Sequence, residues 1–176
     1  YESMERLHVD HIDLINVHDL EFADLQQVVD ETLPALVELK RQGVVSHVGI
    51  TDLQLKNLQW VVDHVPEGTV ETVLNFCHFC LNDDALTDYL DYFESKQIGV
   101  INASPFGMGL LSERGVPDWH PAPQALVEAC QRAVQHCRAH HYPIDKLAIQ
   151  YAVSNPRISS TLFSSANPAN VKKNIA

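Results

Sequence analysis

Five short stretches carry residue types that could do chemistry, and each lies where an apolar run stops. The run Ile12, Leu14, Ile15 and Val17 ends in His18 and Asp19. The run 44–50 ends in Thr51 and Asp52, and the run 72–76 contains Asn75 and is followed by Cys77 and His78. Ser104 follows the run 98–103, and Ser164 with Ser165 follows 159–163. Short runs rich in β-branched residues read as strands, so these polar groups fall at strand ends. An imidazole there can hold or exchange a proton with a bound oxygen, while hydroxyls, carboxylates and amides can grip a ligand's polar atoms. Pattern alone leaves His18 balanced between that role and a histidine satisfied inside a core, with Asp19 capping the next segment.

Two other clusters read more plainly. Cys77-His78-Phe79-Cys80 has CxxC spacing, but no second pair follows, so strand-end residues are expected rather than a zinc or thiol redox site. His136 and His140 stand one helical turn apart beside Cys137 and His141, yet no HExxH pattern or matching carboxylate accompanies them. A solvated helix face is expected, and no metal is assigned. A Walker loop is absent, and Gly107-Met108-Gly109 lacks the third glycine of a dinucleotide fingerprint because position 112 is Ser.

The elements that must position these groups alternate. Strands are expected at 11–17, 44–50, 72–76, 98–103 and 159–163. Helices are expected at about 53–64, 83–96, 123–140 and 144–153, with another opening at Pro168. Between the first two strands Leu25, Val28, Val29, Thr32, Leu33 and Leu36 mark one helical face that Gly43 ends, and Pro34 within it predicts a kink or a restarted first turn. Residues 107–122 are Gly- and Pro-rich and read as irregular. Residues 1–8 look like later turns of a helix, which implies a segment upstream.

With 176 residues, 45% of them hydrophobic, the chain is expected to form a single domain over residues 1–176. Its net charge of −11 argues against nucleic acid or an anionic membrane as partner. Four cysteines without a secretory signal, and no apolar run of membrane-spanning length, point to a reducing, soluble, cytoplasmic setting. Near-continuously apolar strands alternating with helices specify an α/β fold with a parallel sheet. Either a doubly wound open sheet or part of an eight-stranded β/α barrel fits, and in both the ligands bind at the carboxyl ends of the strands.

DHIDLINVHDL (10–20) resembles the fourth strand of the aldo-keto reductases, which a histidine closes. LPALVELKRQGVVSHVGIT (33–51) resembles the helix and fifth strand that follow, and ASPFGMGLL (103–111) the loop after the seventh. STLFSSANPANVKKNI (160–175) is similar to the eighth strand and the helix that closes on the cofactor. NFCHF and INASPFGMGLL look nearest the L-galactose dehydrogenase-like branch. The resemblance implies a partial (β/α)8 TIM barrel, about five of eight βα units, the carboxy-terminal part of such a barrel. It further implies hydride transfer between NAD or NADP and a sugar or small carbonyl or alcohol.

By the same resemblance His18 orients the carbonyl. The family's proton-transferring tyrosine, with its lysine and aspartate, is matched by no residue here. The 176-residue chain alone, whether fragment or truncated product, is therefore expected to be inactive; a non-enzymatic binding relative is the remaining alternative. Thr51 and Asp52 stand at the family's Ser-Asn pair, which holds the nicotinamide carboxamide, and Asn75 stands in for its Gln. Ser104, Phe106 and Met108 fall on the pyrophosphate loop, where Ala103 replaces a stacking aromatic. Ser164, a further cofactor contact, occupies a position that is often Gly, and Asn170 and Asn174 fall on the helix near the adenosine. Asn170 occupies the position of an arginine that NADPH-preferring members carry, which favours NAD over NADP, with Lys172 and Lys173 adjacent.

Overall fold

A computed structural model describes residues 1–175, the side chain of Lys173 excepted, so the expectation attached to that lysine lies outside the described residues. Helix α1 (Glu2–Leu7) precedes strand β1 (Ile12–Val17). A short α2 (Leu25–Gln27), a π-helical segment (Val28–Thr32) and α3 (Leu33–Arg41) lead to β2 (Val45–Asp52). Next come α4 (Leu55–Asp63), β3 (Thr72–Phe76), α5 (Thr87–Ser95) and β4 (Gly99–Ala103). Helices α6 (Gln124–Ala139) and α7 (Ile144–Ala152), strand β5 (Ser160–Leu162) and α8 (Pro168–Asn174) complete the order. The expected alternation is present, with the last strand and the helix before β4 shorter than expected.

The strands form one sheet in chain order, β1-β2-β3-β4-β5. β1 pairs in parallel with β2, β2 with β3 and β4 with β5. At β3 and β4 the Gly99 N–H donates to the Glu71 carbonyl, and the Cys77 N–H to that of Ala103. Like ends therefore lie together, as in a parallel pair.

Pro34 sits in the first turn of α3, which continues directly from the π-helical segment. The turn upstream widens to π geometry, which is how the long periodic face accommodates the proline without breaking.

Contacts group the chain into two units, residues 1–75 with 89–100, and 76–88 with 101–176. In the first, β2 runs centrally with Val45, Val48 and Ile50 buried, and α4 buries Leu58 and Val61. Asn16, Gly49 and Thr72 share one register across β1, β2 and β3. A Cβ on Gly49 would meet Asn16 Oδ1 at 2.1 Å and Thr72 Oγ1 at 2.2 Å, so the residue there must be glycine for these strands to close up. In the second unit Cys80, Leu110, Leu111, Cys130, Ile144 and Ala148 form a core under α6 and α7.

Candidate functional site

His18 follows the last residue of β1 and is exposed, not packed in a core. Its Nδ1 lies 3.0 Å from Asp19 Oδ2, which leaves Nε2 as the ring nitrogen available to a ligand. Asp19 adopts a left-handed backbone (φ 52), a conformation a non-glycine residue holds only when its surroundings enforce it. One enforcing contact is visible: the Asp19 N–H donates to Thr51 Oγ1 at 2.9 Å. Thr51 and Asp52 end β2 and are buried.

Asp52 is bound from both sides. Its Oδ1 accepts from the Gln54 N–H at 2.7 Å and its Oδ2 from Asn57 Nδ2 at 2.9 Å, so the carboxylate anchors the start of α4. Asn75, fully buried near the end of β3, donates from Nδ2 to the carbonyls of Asp52 (2.7 Å) and Leu53 (2.9 Å). Its Oδ1 is buried without a partner. The first unit thus links His18, Asp19, Thr51, Asp52 and Asn75 through successive contacts.

Glu21, which the sequence reading passed over, belongs to this group. Burial raises its pKa above the ordinary carboxylate value, its own backbone N–H opposes the rise, and a side-chain hydrogen bond with Asp52 and the charges of Asp52 and Asp19 reinforce it. One of its oxygens, Oε2, is buried with no partner. Three acids in the stretch Asp19 to Asp24 were the available signal, but the approach of Glu21 to Asp52 spans the α2–α3 segment and leaves no local pattern.

In the second unit backbone strain marks the same kind of position. Cys77 (φ 67) follows β3 and Ser104 (φ 58) follows β4, both left-handed. The two side chains are hydrogen-bonded, and burial pushes the Cys77 thiol up to about 11. Cys80 is pushed up to about 12 by burial and by Cys77, and its Sγ donates to the Cys77 carbonyl at 3.1 Å. These are protonated packing thiols, not nucleophiles. Their spacing belongs to a turn beyond the strand, which ends at Phe76.

Ser104, Phe106 and Met108 share one tight turn. The Gly107 N–H donates to the Ser104 carbonyl at 2.9 Å, and the Gly109 N–H to that of Phe106 at 3.1 Å. Gly107, Met108 and Gly109 all have positive φ, and glycine is the residue that adopts this readily. Past β5, Phe163 packs edge-on to Phe106. Ser165 Oγ accepts from the Asn167 N–H and lies 3.4 Å from Asn170 Nδ2. Ser164 and Asn170 are exposed and Asn174 half-buried.

Sequence reasoning also missed Asn102 and the pair His78–Asp83. Asn102, fully buried in β4, donates to the Phe79 carbonyl at 3.0 Å, just as Asn75 holds the loop after β2. The matching triplets Leu74-Asn75-Phe76 and Ile101-Asn102-Ala103 were the sequence signal. His78 Nδ1 lies 3.0 Å from Asp83 Oδ2. His136 and His140 are exposed and their rings pack at 4.3 Å. Among the described residues no group of three His, Cys, Asp or Glu is placed to hold a metal ion, and no helix is long and apolar enough to cross a membrane.

The model for the Aldo/keto reductase family matches residues 1–176. The chain is 47% identical over 175 residues to L-galactose dehydrogenase of Arabidopsis thaliana, covering 99% of this chain and 55% of that protein. It is 29% identical over 161 residues to D-arabinose 1-dehydrogenase of Saccharomyces cerevisiae, covering 88% and 48%. Among solved structures, an aldo-keto reductase from Bacillus halodurans in its holo form superposes with a TM-score of 0.78 at 21% identity, over 99% of this chain and 55% of that one. The chain therefore spans about half the length of these relatives, and its five parallel strands correspond to part of their (β/α)8 barrel. With the family matched over its whole length and the βα order of that barrel in place, the chain belongs to the aldo/keto reductase family.

Proposed function

We propose that the protein carrying this chain is an oxidoreductase of the L-galactose dehydrogenase type, which moves a hydride between a nicotinamide cofactor and the carbonyl or alcohol carbon of an aldose or other small carbonyl compound. The observation that carries this reading is the placement of His18: exposed at a strand end, with Nδ1 engaged by Asp19 and Asp19 tied to Thr51. That arrangement fixes the ring and presents Nε2 to a substrate oxygen, which it orients by one hydrogen bond. The sugar dehydrogenases among the relatives support an aldose as substrate.

The residues present suit a nicotinamide dinucleotide. Asn75 Oδ1 is a buried acceptor with no partner, matched to an amide donor such as the carboxamide, and Thr51 carries a hydroxyl on the neighbouring strand β2. Asp52 engages Gln54 and Asn57 at the start of α4 as well as Glu21, so it contributes by fixing the β2 end. The turn through Ser104, Phe106 and Met108 is read as the pyrophosphate contact, with the Gly107 and Gly109 N–H groups closing the turn itself onto the Ser104 and Phe106 carbonyls. Ser164 is a further cofactor contact, and Asn170 and Asn174 serve the adenosine end. When bound, the cofactor supplies or accepts the hydride. Asn170 is an uncharged amide where a guanidinium would grip a 2′-phosphate, and this favours NAD over NADP. The reading places the chain in one domain of a cytoplasmic enzyme with a small-molecule substrate.

Reduction of NAD⁺ by L-galactose and by a panel of other aldoses, followed by near-ultraviolet absorbance with the protein made from its full coding sequence, tests the proposal. Turnover of at least one aldose is expected. Absence of nucleotide binding would overturn it.

A further inference from the structure

The segment after β4 is closed by an imidazole that takes no part in the contacts above. His120 reaches back thirteen residues: its Nε2 lies 3.1 Å from the Gly107 carbonyl oxygen, and its Nδ1 lies 3.1 Å from the Ala122 nitrogen. An amide N–H can only donate and a carbonyl can only accept. Nδ1 is therefore the acceptor and Nε2 the donor, which specifies the Nε2–H tautomer. Residues 107–120 form a loop of the Ω kind, its two ends joined by one half-buried side chain.

The His120 end is fixed independently. Its own N–H donates to the Pro117 carbonyl at 3.0 Å, its ring stacks beside Trp119 with centroids 6.3 Å apart, and Pro121 and Pro123 restrict the chain that follows. Ala122, whose N–H sets the tautomer, packs against the core under α6 and α7. The ring is anchored, and the Gly107 carbonyl is what it holds.

That grip sets a peptide plane. The carbonyl and the N–H of a trans peptide point in opposite directions, so turning the Gly107 carbonyl toward His120 turns the Met108 N–H away from it. Both residues are left-handed (φ 54 and φ 53), and Met108, which carries a side chain, keeps that conformation only under outside restraint. The Leu110 N–H also donates to the Gly107 carbonyl, at 3.2 Å, whereas the Met108 N–H donates to no group among the described residues. We infer that His120 is a positioning residue for the cofactor turn: it holds the Gly107–Met108 peptide so that the Met108 N–H stands free for a phosphate oxygen of the dinucleotide. This rests on the reading of Ser104, Phe106 and Met108 as the pyrophosphate contact, and adds to it the side chain that aims the backbone.

Asparagine and glutamine separate the two contacts. By bond count the Asn amide reaches the Nδ1 position and keeps the contact with Ala122, while the Gln amide reaches the Nε2 position and keeps the contact with Gly107. Nicotinamide nucleotide affinity of the full-length protein, measured by fluorescence titration, is expected to fall at least tenfold in His120→Asn and to recover most of that loss in His120→Gln. Affinity intact in the Asn variant, at any melting temperature, makes the contact structural alone and overturns the inference while leaving the dehydrogenase reading standing. An equal loss in both variants does the same, whereas a parent that binds no nucleotide overturns both. Nitrogen NMR of the histidine-labelled parent, the His120 signals being those missing from the Gln variant, is expected to show a protonated Nε2 and a bare Nδ1. The opposite tautomer overturns the inference whatever the stability of the Asn variant.

Discussion

The backbone N–H of Asp19 donates to the Thr51 hydroxyl at 2.9 Å, joining the end of β1 to the end of β2 one residue beyond His18. This contact holds Asp19 in its left-handed conformation and, through the Asp19 carboxylate, holds the imidazole. Thr51→Val keeps the shape and removes the acceptor. Stability should fall by about 0.5–1.5 kcal/mol, the net contribution of one part-buried hydrogen bond, with Thr51→Ser restoring most of it. Urea denaturation of the three proteins measures this; equal midpoints for parent and Val variant would show the contact to be dispensable.

Gly49 has no room for a methyl group, because Asn16 Oδ1 and Thr72 Oγ1 flank it. Gly49→Ala should destabilise by up to about 3 kcal/mol through overpacking in the middle of three paired strands. Substituting Asn16→Ala in the same protein should recover part of the loss, since the two positions are in register. Strict additivity of the two changes would contradict the packing described.

Glu21 titrates above the ordinary carboxylate value in the folded protein, through burial and its hydrogen bond with Asp52. A raised folded pKa means that its contribution to stability is complete below the unfolded value and is lost as pH rises through the folded one. Glu21→Gln stays neutral at every pH, so the variant should gain on the parent as pH climbs from acid toward neutrality. Glu71 has the opposite sign. Burial alone would raise it, but hydrogen bonds from Lys40, His47 and the Val48 N–H lower it, so its contribution is lost as pH falls. Melting temperature against pH for the Glu21 variant checks the prediction; a pH-independent difference contradicts it.

Asn170 is exposed and uncharged. Asn170→Arg in the complete protein should raise NADPH affinity at least tenfold while changing NADH affinity little, since only the 2′-phosphate gains a bidentate partner. Fluorescence titration with both nucleotides is the measurement. A parent that already binds NADPH more tightly than NADH would contradict the assignment of Asn170.

The strands and helices were legible because most strands read as short, largely apolar runs and the longer helices carry one apolar stripe, patterns written in adjacent residues. Pro34 announced its irregularity without revealing its form, a π-helical segment that absorbs the missing hydrogen bond. His18, Thr51 and Ser104 were visible as polar residues where apolar runs stop. Asn75 was visible as a polar residue but not as a donor to the Asp52 and Leu53 carbonyls, and Asn102, in the same role on β4, was missed. Such contacts pair residues more than twenty positions apart, and local periodicity does not encode them. The left-handed backbone at Asp19, Cys77 and Ser104 was hidden for a related reason: without glycine, only the tertiary surroundings enforce it.

The most direct test of the account is the effect of His18→Ala on turnover of an aldose by the full-length protein, with NAD⁺ saturating. Loss of the positioned imidazole should lower kcat/KM by about 2–4 kcal/mol in transition-state terms, with nucleotide affinity unchanged. Unaltered turnover would show that His18 touches no reacting oxygen and would contradict the site described.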